Sequence, residues 1–215
     1  MTGRSYEQYC ALAKSLDLVG ERWTLLVVRE LLEGPKRYTD LQDGIPGIAT
    51  DMLAARLRAL EETGLVAKRV LPPPAASTVY DLTDLGRGLE PVVRELARWG
   101  LRLMGKQKDE VFRIHWMSIW LRTSFRPDRA QDGPPLTVQF DVNGESMHVR
   151  IASGALETAT GEATDPDVVI ASDAATMSRA AHDREFAAEA VKKGKLRTRG
   201  KREDLKRALQ ILGLR

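Results

Sequence analysis

Apolar residues in the first part of the chain recur at helical spacing, in segments that glycine or proline closes. Glycine suits the left-handed cap of a helix and proline cannot continue one, so Gly20, Gly34-Pro35 and Gly64 mark helix ends. Arranged around these stops, the pattern predicts four helices, over residues 6–19, 21–33, 38–43 and 50–63.

The pattern then changes to period-two alternation, which is typical of strands. Strands are predicted over 65–71 and 78–82, separated by a loop whose prolines cannot pair in a sheet. A long helix follows from Thr83 to about Leu103, with a kink expected at Pro91. Helices followed by two antiparallel strands predict a winged helix-turn-helix domain in the first half of the chain.

The polar segment 105–110 is a candidate linker, which divides the chain into predicted domains 1–105 and 111–215. Asn143-Gly144 lies between two alternating runs, the strongest short signal of a β-hairpin. The fold class is therefore predicted as α+β, with an α+β second domain after the winged one. The elements predicted for that domain are helices over 111–123, 173–181, 184–193 and 201–212 and strands over 136–142, 147–152, 156–160, 167–171 and 196–199.

The helix over 50–63 is the candidate recognition helix, because DNA reading requires a helix whose N-terminal side chains meet base edges in the major groove. Its candidate contacts are Thr50, Asp51, Met52, Ala55, Arg56 and Arg58. Four further basic residues are candidate phosphate contacts, namely Lys36, Arg37, Lys68 and Arg69. Alternatively, Arg56 and Arg58 are simply solvated helix residues.

Residues 10–99 include the stretches Leu16-Asp17-Leu18-Val19-Gly20, Arg22-Trp23-Thr24-Leu25-Leu26, Ile45-Pro46-Gly47-Ile48 and Tyr80-Asp81-Leu82-Thr83-Asp84-Leu85-Gly86. Through these stretches the segment resembles the HxlR family of winged-helix regulators, relatives of the MarR group. The resemblance implies a homodimeric regulator, a repressor of a double-stranded DNA operator, that dimerises through the first and last helices of the domain. Two recognition helices would then lie about one DNA turn apart.

Cys10 matches the cysteine of the family pattern, but the next residue does not. Ala11 stands where the family usually has proline. Some members of the family use this cysteine to sense oxidants or electrophiles, which the resemblance extends to Cys10 as an alternative mode of regulation. The other interpretation is a small buried residue at the dimer interface.

The second half resembles the type-two sterol-carrier-protein fold, through the LTVQFDVNGE hairpin, Asp165-Pro166-Asp167-Val168-Val169-Ile170 and the segment 190–200. The resemblance implies an apolar small-molecule effector held between sheet and helices. The alternative is that the same side chains only fill the core. Candidate pocket residues are Phe112, Trp116, Trp120, Phe140, Leu156, Ile170, Met177 and Phe186.

Composition excludes several other classes of protein. A single cysteine rules out an intrachain disulfide, and three scattered histidines predict no metal site and no catalytic site. No cofactor or membrane segment is predicted, and the expected location is the cytoplasm. A lipid carrier that uses the winged domain only to dimerise, and an enzyme built on the second domain, are the competing functions.

The formal net charge is only +3, but Lys and Arg are concentrated in residues 192–207. This run could contact DNA beside the operator, or it could be a solvated face whose charge Glu203 and Asp204 reduce.

Overall fold

The computed structural model describes residues 5–74, 76–104, 110–181 and 183–214. The chain forms two compact units, residues 1–96 and 97–215. Most of the predicted linker, residues 105–109, lies outside the described residues, so the predicted domain bounds 1–105 and 111–215 stay a prediction.

The first unit has the predicted order of helices and wing strands. The wing is an antiparallel pair whose register runs from Val66 opposite Leu82 to Val70 opposite Thr78. A helix-turn-helix followed by a two-stranded wing is therefore confirmed. The elements are α1 (Ala11–Val19), α2 (Thr24–Leu31), α3 (Tyr38–Gly44), α4 (Thr50–Glu62), β1 (Val66–Val70), β2 (Thr78–Leu82), α5 (Asp84–Arg87) and α6 (Glu90–Gly100), the last of which runs across the boundary between the units.

Three helix predictions in this unit are wrong in extent. Helix α1 begins at Ala11 instead of residue 6, because Cys10 before it has an extended backbone. Helix α2 begins at Thr24 instead of residue 21, because Trp23 has a left-handed backbone with φ of 79°. The long helix predicted from Thr83 is two helices, α5 and α6, separated by a turn. Pro91 does not kink a helix interior; it lies in the first turn of α6, where its missing N–H has no intrahelical partner.

Helix α5 requires a residue without a side chain at its third position. A Cβ atom on Gly86 would lie 2.1 Å from the carbonyl oxygen of Leu65. Thr83 caps the same helix, since its hydroxyl accepts from the Gly86 N–H and donates to the Gly64 carbonyl. These contacts hold the residues that follow β2 against Gly64 and Leu65, which precede β1.

The second unit contains a five-stranded mixed sheet in the order β5-β4-β3-β6-β7. Strands β3 and β6 are parallel and the other neighbours are antiparallel. A sheet domain is therefore present, as predicted. Its elements are α7 (Met117–Ser124), β3 (Leu136–Val142), β4 (Glu145–Ala152), β5 (Ala155–Thr160), β6 (Val168–Ser172), α8 (Ala174–Ala180), α9 (Arg184–Lys192), β7 (Arg197–Gly200) and α10 (Arg202–Ile211).

The predicted hairpin between β3 and β4 is confirmed. Val142 pairs with Glu145 across a two-residue turn, and both Asn143 and Gly144 have positive φ, of 52° and 83°. Two central residues with positive φ define the turn that matches the twist of a hairpin. The helix predicted over 111–123 is shorter, because residues Ile114–Trp116 form a 3₁₀ turn before α7 begins.

The two faces of this sheet differ in character. One face packs its alternate apolar residues, including Val138, Phe140 and Ile170, into a core with residues of α7, α8, α9 and α10. The other face, here called the outer face, carries polar side chains such as Gln139 and His148 at the intervening positions.

Candidate nucleic-acid interface

Helix α4 has one buried side and one exposed side. Leu53, Leu57 and Leu60 are buried, which anchors the helix to the first unit. By helical geometry, Asp51 and Arg58 lie on the opposite side, and both are exposed. The exposed residues at the beginning of α4 also include Thr50 and Met52, and Ala55 is half-buried. This side of α4 is what the first unit can present to a DNA groove.

Helix α3 holds the beginning of α4 in place through two hydrogen bonds to Thr50. The Tyr38 hydroxyl donates to the Thr50 carbonyl over 2.6 Å, and the Gln42 amide Nε2 donates to the Thr50 hydroxyl over 2.8 Å. Neither Tyr38 nor Gln42 is among the site residues predicted from the sequence. The sequence does contain a signal for both residues. They are polar and lie on the helix before the recognition helix, from where they can bind its first turn. Thr50 itself, a predicted DNA contact, has its hydroxyl engaged as the acceptor of the Gln42 hydrogen bond.

Lys36 points into the first unit as an ion-pair partner of Glu30. The Glu30 side chain has an exposed fraction of 0%, and its Oε2 accepts from Lys36 Nζ over 2.7 Å. Its Oε1 accepts from the Arg29 guanidinium, which also donates to the Gly44 carbonyl. Burial lowers the pKa of Arg29, while the adjacent Glu30 carboxylate opposes that shift. The charge of Lys36 is thus compensated within the protein.

Gly44 is part of the same arrangement. A Cβ atom there would lie 2.5 Å from Glu30 Oε2. Glycine at this position lets the end of α3 approach the buried carboxylate, and the Lys36 backbone pairs with Tyr80 of the wing by two hydrogen bonds. Glu30 therefore connects α2, α3 and the residue that joins the wing.

The wing cations also have internal partners. Lys68 Nζ lies 3.3 Å from Glu61 and above the Tyr80 ring, and the Glu61 hydrogen bond raises the pKa of Lys68. Arg69 forms an ion pair with the buried Asp81, whose other oxygen pairs with Arg87. Both basic residues of strand β1 therefore stand beside carboxylates.

Arg56 and Arg58 have different surroundings although both belong to α4. The Arg56 side chain is only 19% exposed and pairs with Glu21 over 3.7 Å. Arg58 is exposed, with no carboxylate partner in the part of the chain that the structure describes. Arg37 is also exposed, and its Nε donates to the Ser77 hydroxyl in the wing loop. Of the six basic candidates, Arg37 and Arg58 present a positive charge that no described carboxylate balances.

The eight candidate pocket residues are spread through the second unit, and seven of them pack in or against its core. Phe140, Ile170 and Met177 are buried members of that core, while Phe112, Trp120, Leu156 and Phe186 pack against it. Trp116 is half-buried at the start of α7. Seven of the eight side chains therefore contribute to a packed core.

A groove in the second unit lies elsewhere, on the outer face of the sheet. Its volume is about 430 Å³, and none of the eight residues lines it. Five titratable side chains are among its lining residues, namely His148, Arg150, Glu157, Glu162 and Asp165.

Cys10 is exposed and stands at the N-cap of α1, where its carbonyl accepts from the Lys14 N–H. Elsewhere, the described residues contain no group of three or more His, Cys, Asp or Glu side chains placed to hold a metal ion. Within the same ranges, no helix is long and apolar enough to cross a membrane.

The first half of the chain is similar in sequence to known proteins of one family. The model of the HxlR-like helix-turn-helix family matches residues 18–108. The chain is 36% identical to the HTH-type transcriptional regulator YodB of Bacillus subtilis (strain 168) over 88 residues, which is 41% of this chain and 79% of that protein. It is 34% identical to the uncharacterized HTH-type transcriptional regulator YvaP of the same organism, over 40% of this chain and 80% of that protein.

Solved structures match the same part. The reduced form of YodB from B. subtilis aligns with a TM-score of 0.40 and 33% identity, covering 47% of this chain and all of that one. The HxlR-like family and the relatives matched by sequence are transcriptional regulators and not enzymes.

Proposed function

Because the chain belongs to the HxlR family of helix-turn-helix transcriptional regulators, we propose that it represses transcription as a homodimer bound to a pseudo-palindromic DNA operator. The observation that carries this proposal is the exposed side of α4. Its three buried leucines and its two hydrogen bonds from α3 hold the helix rigidly, while Asp51 and Arg58 remain exposed. A rigid helix with accessible N-terminal side chains is what reading of base edges requires.

Exposed apolar side chains support the homodimer. On α6 and the turn after it, Val92, Leu96, Trp99 and Leu103 recur at spacings of four, three and four residues, which places them on one side of the helix. Trp99 is 57% exposed. A contiguous exposed apolar stripe of this kind typically marks a protein interface. A second copy of the chain covers such a stripe symmetrically, as a two-fold dimer requires.

Genome-wide mapping of the sites bound by the protein tests the regulator directly. We expect discrete sites with two half-sites about one DNA turn apart. Binding to a mapped site should exceed binding to its scrambled sequence, and Arg58→Ala should reduce that ratio. A chain that shows no salt-dependent DNA binding at all would instead be a carrier that uses its winged unit only to dimerise.

For the second unit we propose a sterol-carrier-protein-like fold that holds an apolar effector. Phe140, Ile170 and Met177 are in core contact, so an effector has to separate them from the helices or enter beside the half-buried Trp116 and Trp120. Thermal unfolding with a series of fatty acids and sterols tests the proposal. A rise in melting temperature that depends on ligand concentration supports it, and no rise across the series contradicts it.

Regulation by oxidants or electrophiles at Cys10 is the second candidate. Exposed cysteines at helix N-termini have the surroundings in which thiols react, and Cys10 is exposed at the N-cap of α1. Treatment with a quinone should then alter operator binding by the wild type and not by Cys10→Ser. An equal response of both proteins removes Cys10 from the mechanism.

A further inference from the structure

Formal charge is distributed unevenly between the two units. The first unit, which carries α4, has twelve Lys and Arg residues against fourteen Asp and Glu. Residues 192–207 of the second unit have nine basic residues against two acidic ones. Neutralisation of phosphates supplies essentially all non-specific affinity for DNA and a large part of specific affinity. The charge suited to that task is concentrated outside the unit that reads the bases.

Strand β7, at one edge of the sheet, presents part of this charge in a defined direction. Arg197 pairs with Ala171 and Arg199 with Val169, and side chains of directly paired residues share a face. Because Val168 and Ile170 belong to the core, Arg197 and Arg199 lie on the outer face. Both are exposed, and their cross-strand neighbours are apolar.

Asp141 is the carboxylate in the register row of Arg197, and it lies two strands away, about 9.6 Å at the usual strand spacing. Its Oδ1 already accepts from Gln139 and Ser146. Among the described residues neither arginine forms an ion pair, and Asp167, which precedes β6 on the same face, uses its Oδ2 to accept from the Thr137 N–H.

Lys201 and Arg202 continue the exposed basic surface at the start of α10. We call Arg197, Arg199, Lys201 and Arg202 the basic strip. Two other basic residues of the run are engaged: Lys193 pairs with Glu189 over 2.6 Å, and Arg207 donates to the Pro134 carbonyl. Glu203 and Asp204 stand in the first turn of α10, where they complement the positive end of that helix.

We propose that the basic strip is a second, sequence-independent DNA contact, which binds phosphates flanking the bases read by α4. The inference rests on the proposed function. The DNA that the basic strip binds is the duplex that α4 of the same chain already holds. Tethering makes that second contact intramolecular, so its effective concentration is high even when each phosphate contact is weak. Arginine is also the side chain best suited to bidentate phosphate binding, and three of the four residues are arginines.

The test compares two variants of the full chain that differ only in where charge is removed. The strip variant carries Arg197→Gln, Arg199→Gln and Arg202→Gln. The control variant carries Arg126→Gln, Arg129→Gln and Arg184→Gln, three other exposed arginines of the second unit. Fluorescence anisotropy measures binding to a random-sequence duplex of about 60 base pairs, several times the span of two half-sites, over a series of salt concentrations.

We expect the slope of log affinity against log salt to fall by about 0.9 for each phosphate that is no longer neutralised, and so by up to about 2.7 for each chain of the strip variant. The control variant should keep the wild-type slope. Melting temperatures equal to that of the wild type establish that both variants fold. If the strip variant does not fold, the double variant Arg197→Gln with Arg199→Gln replaces it. The slope of log affinity against log salt should then fall by up to about 1.8 for each chain.

Equal slopes for the strip variant and its control, with intact DNA binding by the wild type, overturn the strip and leave the regulator standing. Absence of DNA binding by the wild type overturns both. Phosphatidylserine vesicles are the remaining arm: if the strip variant loses vesicle binding while its DNA slope is unchanged, the strip recognises a membrane surface and the proposal is wrong.

Discussion

Lys36 donates to the fully buried carboxylate of Glu30 over 2.7 Å, while Arg29 occupies the other oxygen of that carboxylate. A buried carboxylate is tolerated only when cations and hydrogen bonds compensate it. Lys36 is therefore required by the interior of the first unit. From the sequence, the position of Lys36 before α3 predicts a phosphate contact. In the structure, the pairing with Glu30 explains that position instead.

Lys36→Met should destabilise the protein, because it leaves Glu30 buried with one charged partner fewer. We expect a loss of about 1.5–3 kcal/mol in the free energy of unfolding, the contribution of a hydrogen bond to a charged group. Urea denaturation measures it. Adding Glu30→Gln to Lys36→Met should recover part of the loss, since the uncompensated charge is removed. Unchanged stability with weakened DNA binding would restore Lys36 as a phosphate contact.

Arg58→Ala and Arg56→Ala should affect different properties. Arg58 is exposed on the side of α4 opposite its buried leucines, so its removal should weaken operator binding by about 1–3 kcal/mol if it reads a base, with stability unchanged. Arg56 is mostly buried beside Glu21, so its removal should lower stability first. Operator titrations and urea melts of both variants separate the two effects. Equal affinity losses without destabilisation would show that both arginines contact DNA.

Tyr38→Phe tests whether α3 positions the recognition helix. The variant removes only the hydroxyl that donates to the Thr50 carbonyl, a hydrogen bond that contributes about 0.5–1.5 kcal/mol to stability. We expect a further loss of operator affinity, because only the Gln42 hydrogen bond from α3 then restrains Thr50. The ratio of operator to scrambled-duplex affinity is the measurement. A variant with normal discrimination would show that Tyr38 contributes to stability only.

The sequence predicts the order of elements well, since caps, prolines and alternation are local signals. Residues within a few positions of each other predict three features that the structure has: the wing strands, the Asn143-Gly144 hairpin and the end of α2 near Gly34. The left-handed Trp23, which delays α2, has no comparable local signal. The sheet order also depends on pairing between distant segments, such as β3 with β6.

The candidate site is less predictable because ion pairing depends on the folded arrangement. Lys36 and Glu30 are six positions apart across a turn, and Arg69 and Asp81 are brought together by the wing register. A basic residue near a recognition helix thus has two competing explanations in the sequence, a phosphate contact or an internal partner. Arg58 could be assigned to the exposed side from helical periodicity alone, and Arg56 lies at its margin.

Leu96→Glu should disrupt the homodimer, because it places a charge in the middle of the apolar stripe on α6. We expect a monomer in light scattering, together with weaker binding to a site with two half-sites, where each half is then bound independently. Val191→Glu is the control, since Val191 is an exposed apolar residue of α9 outside the stripe. A Leu96→Glu protein that stays dimeric would place the interface elsewhere.

Asp173 caps α8 in a manner that should make part of the stability pH-dependent. Burial raises the pKa of its carboxyl, but hydrogen bonds from the Thr176 N–H and hydroxyl lower it more, so the pKa lies below its usual value. A carboxyl with a lowered pKa in the folded state stabilises the protein above its unfolded pKa of about 3.9 and loses that contribution as the pH falls through the folded pKa. Asp173→Ala should then cost about 1 kcal/mol at neutral pH.

Asp173→Asn is the matched control, because asparagine caps a helix as well as aspartate but does not titrate. The stability difference between wild type and Asp173→Asn should be constant above about pH 5 and should fall to a lower value below about pH 4. Urea melts across this range measure it. A difference that is independent of pH would contradict the ionised cap, because only an Asp173 carboxylate that loses its charge on acidification can produce the dependence.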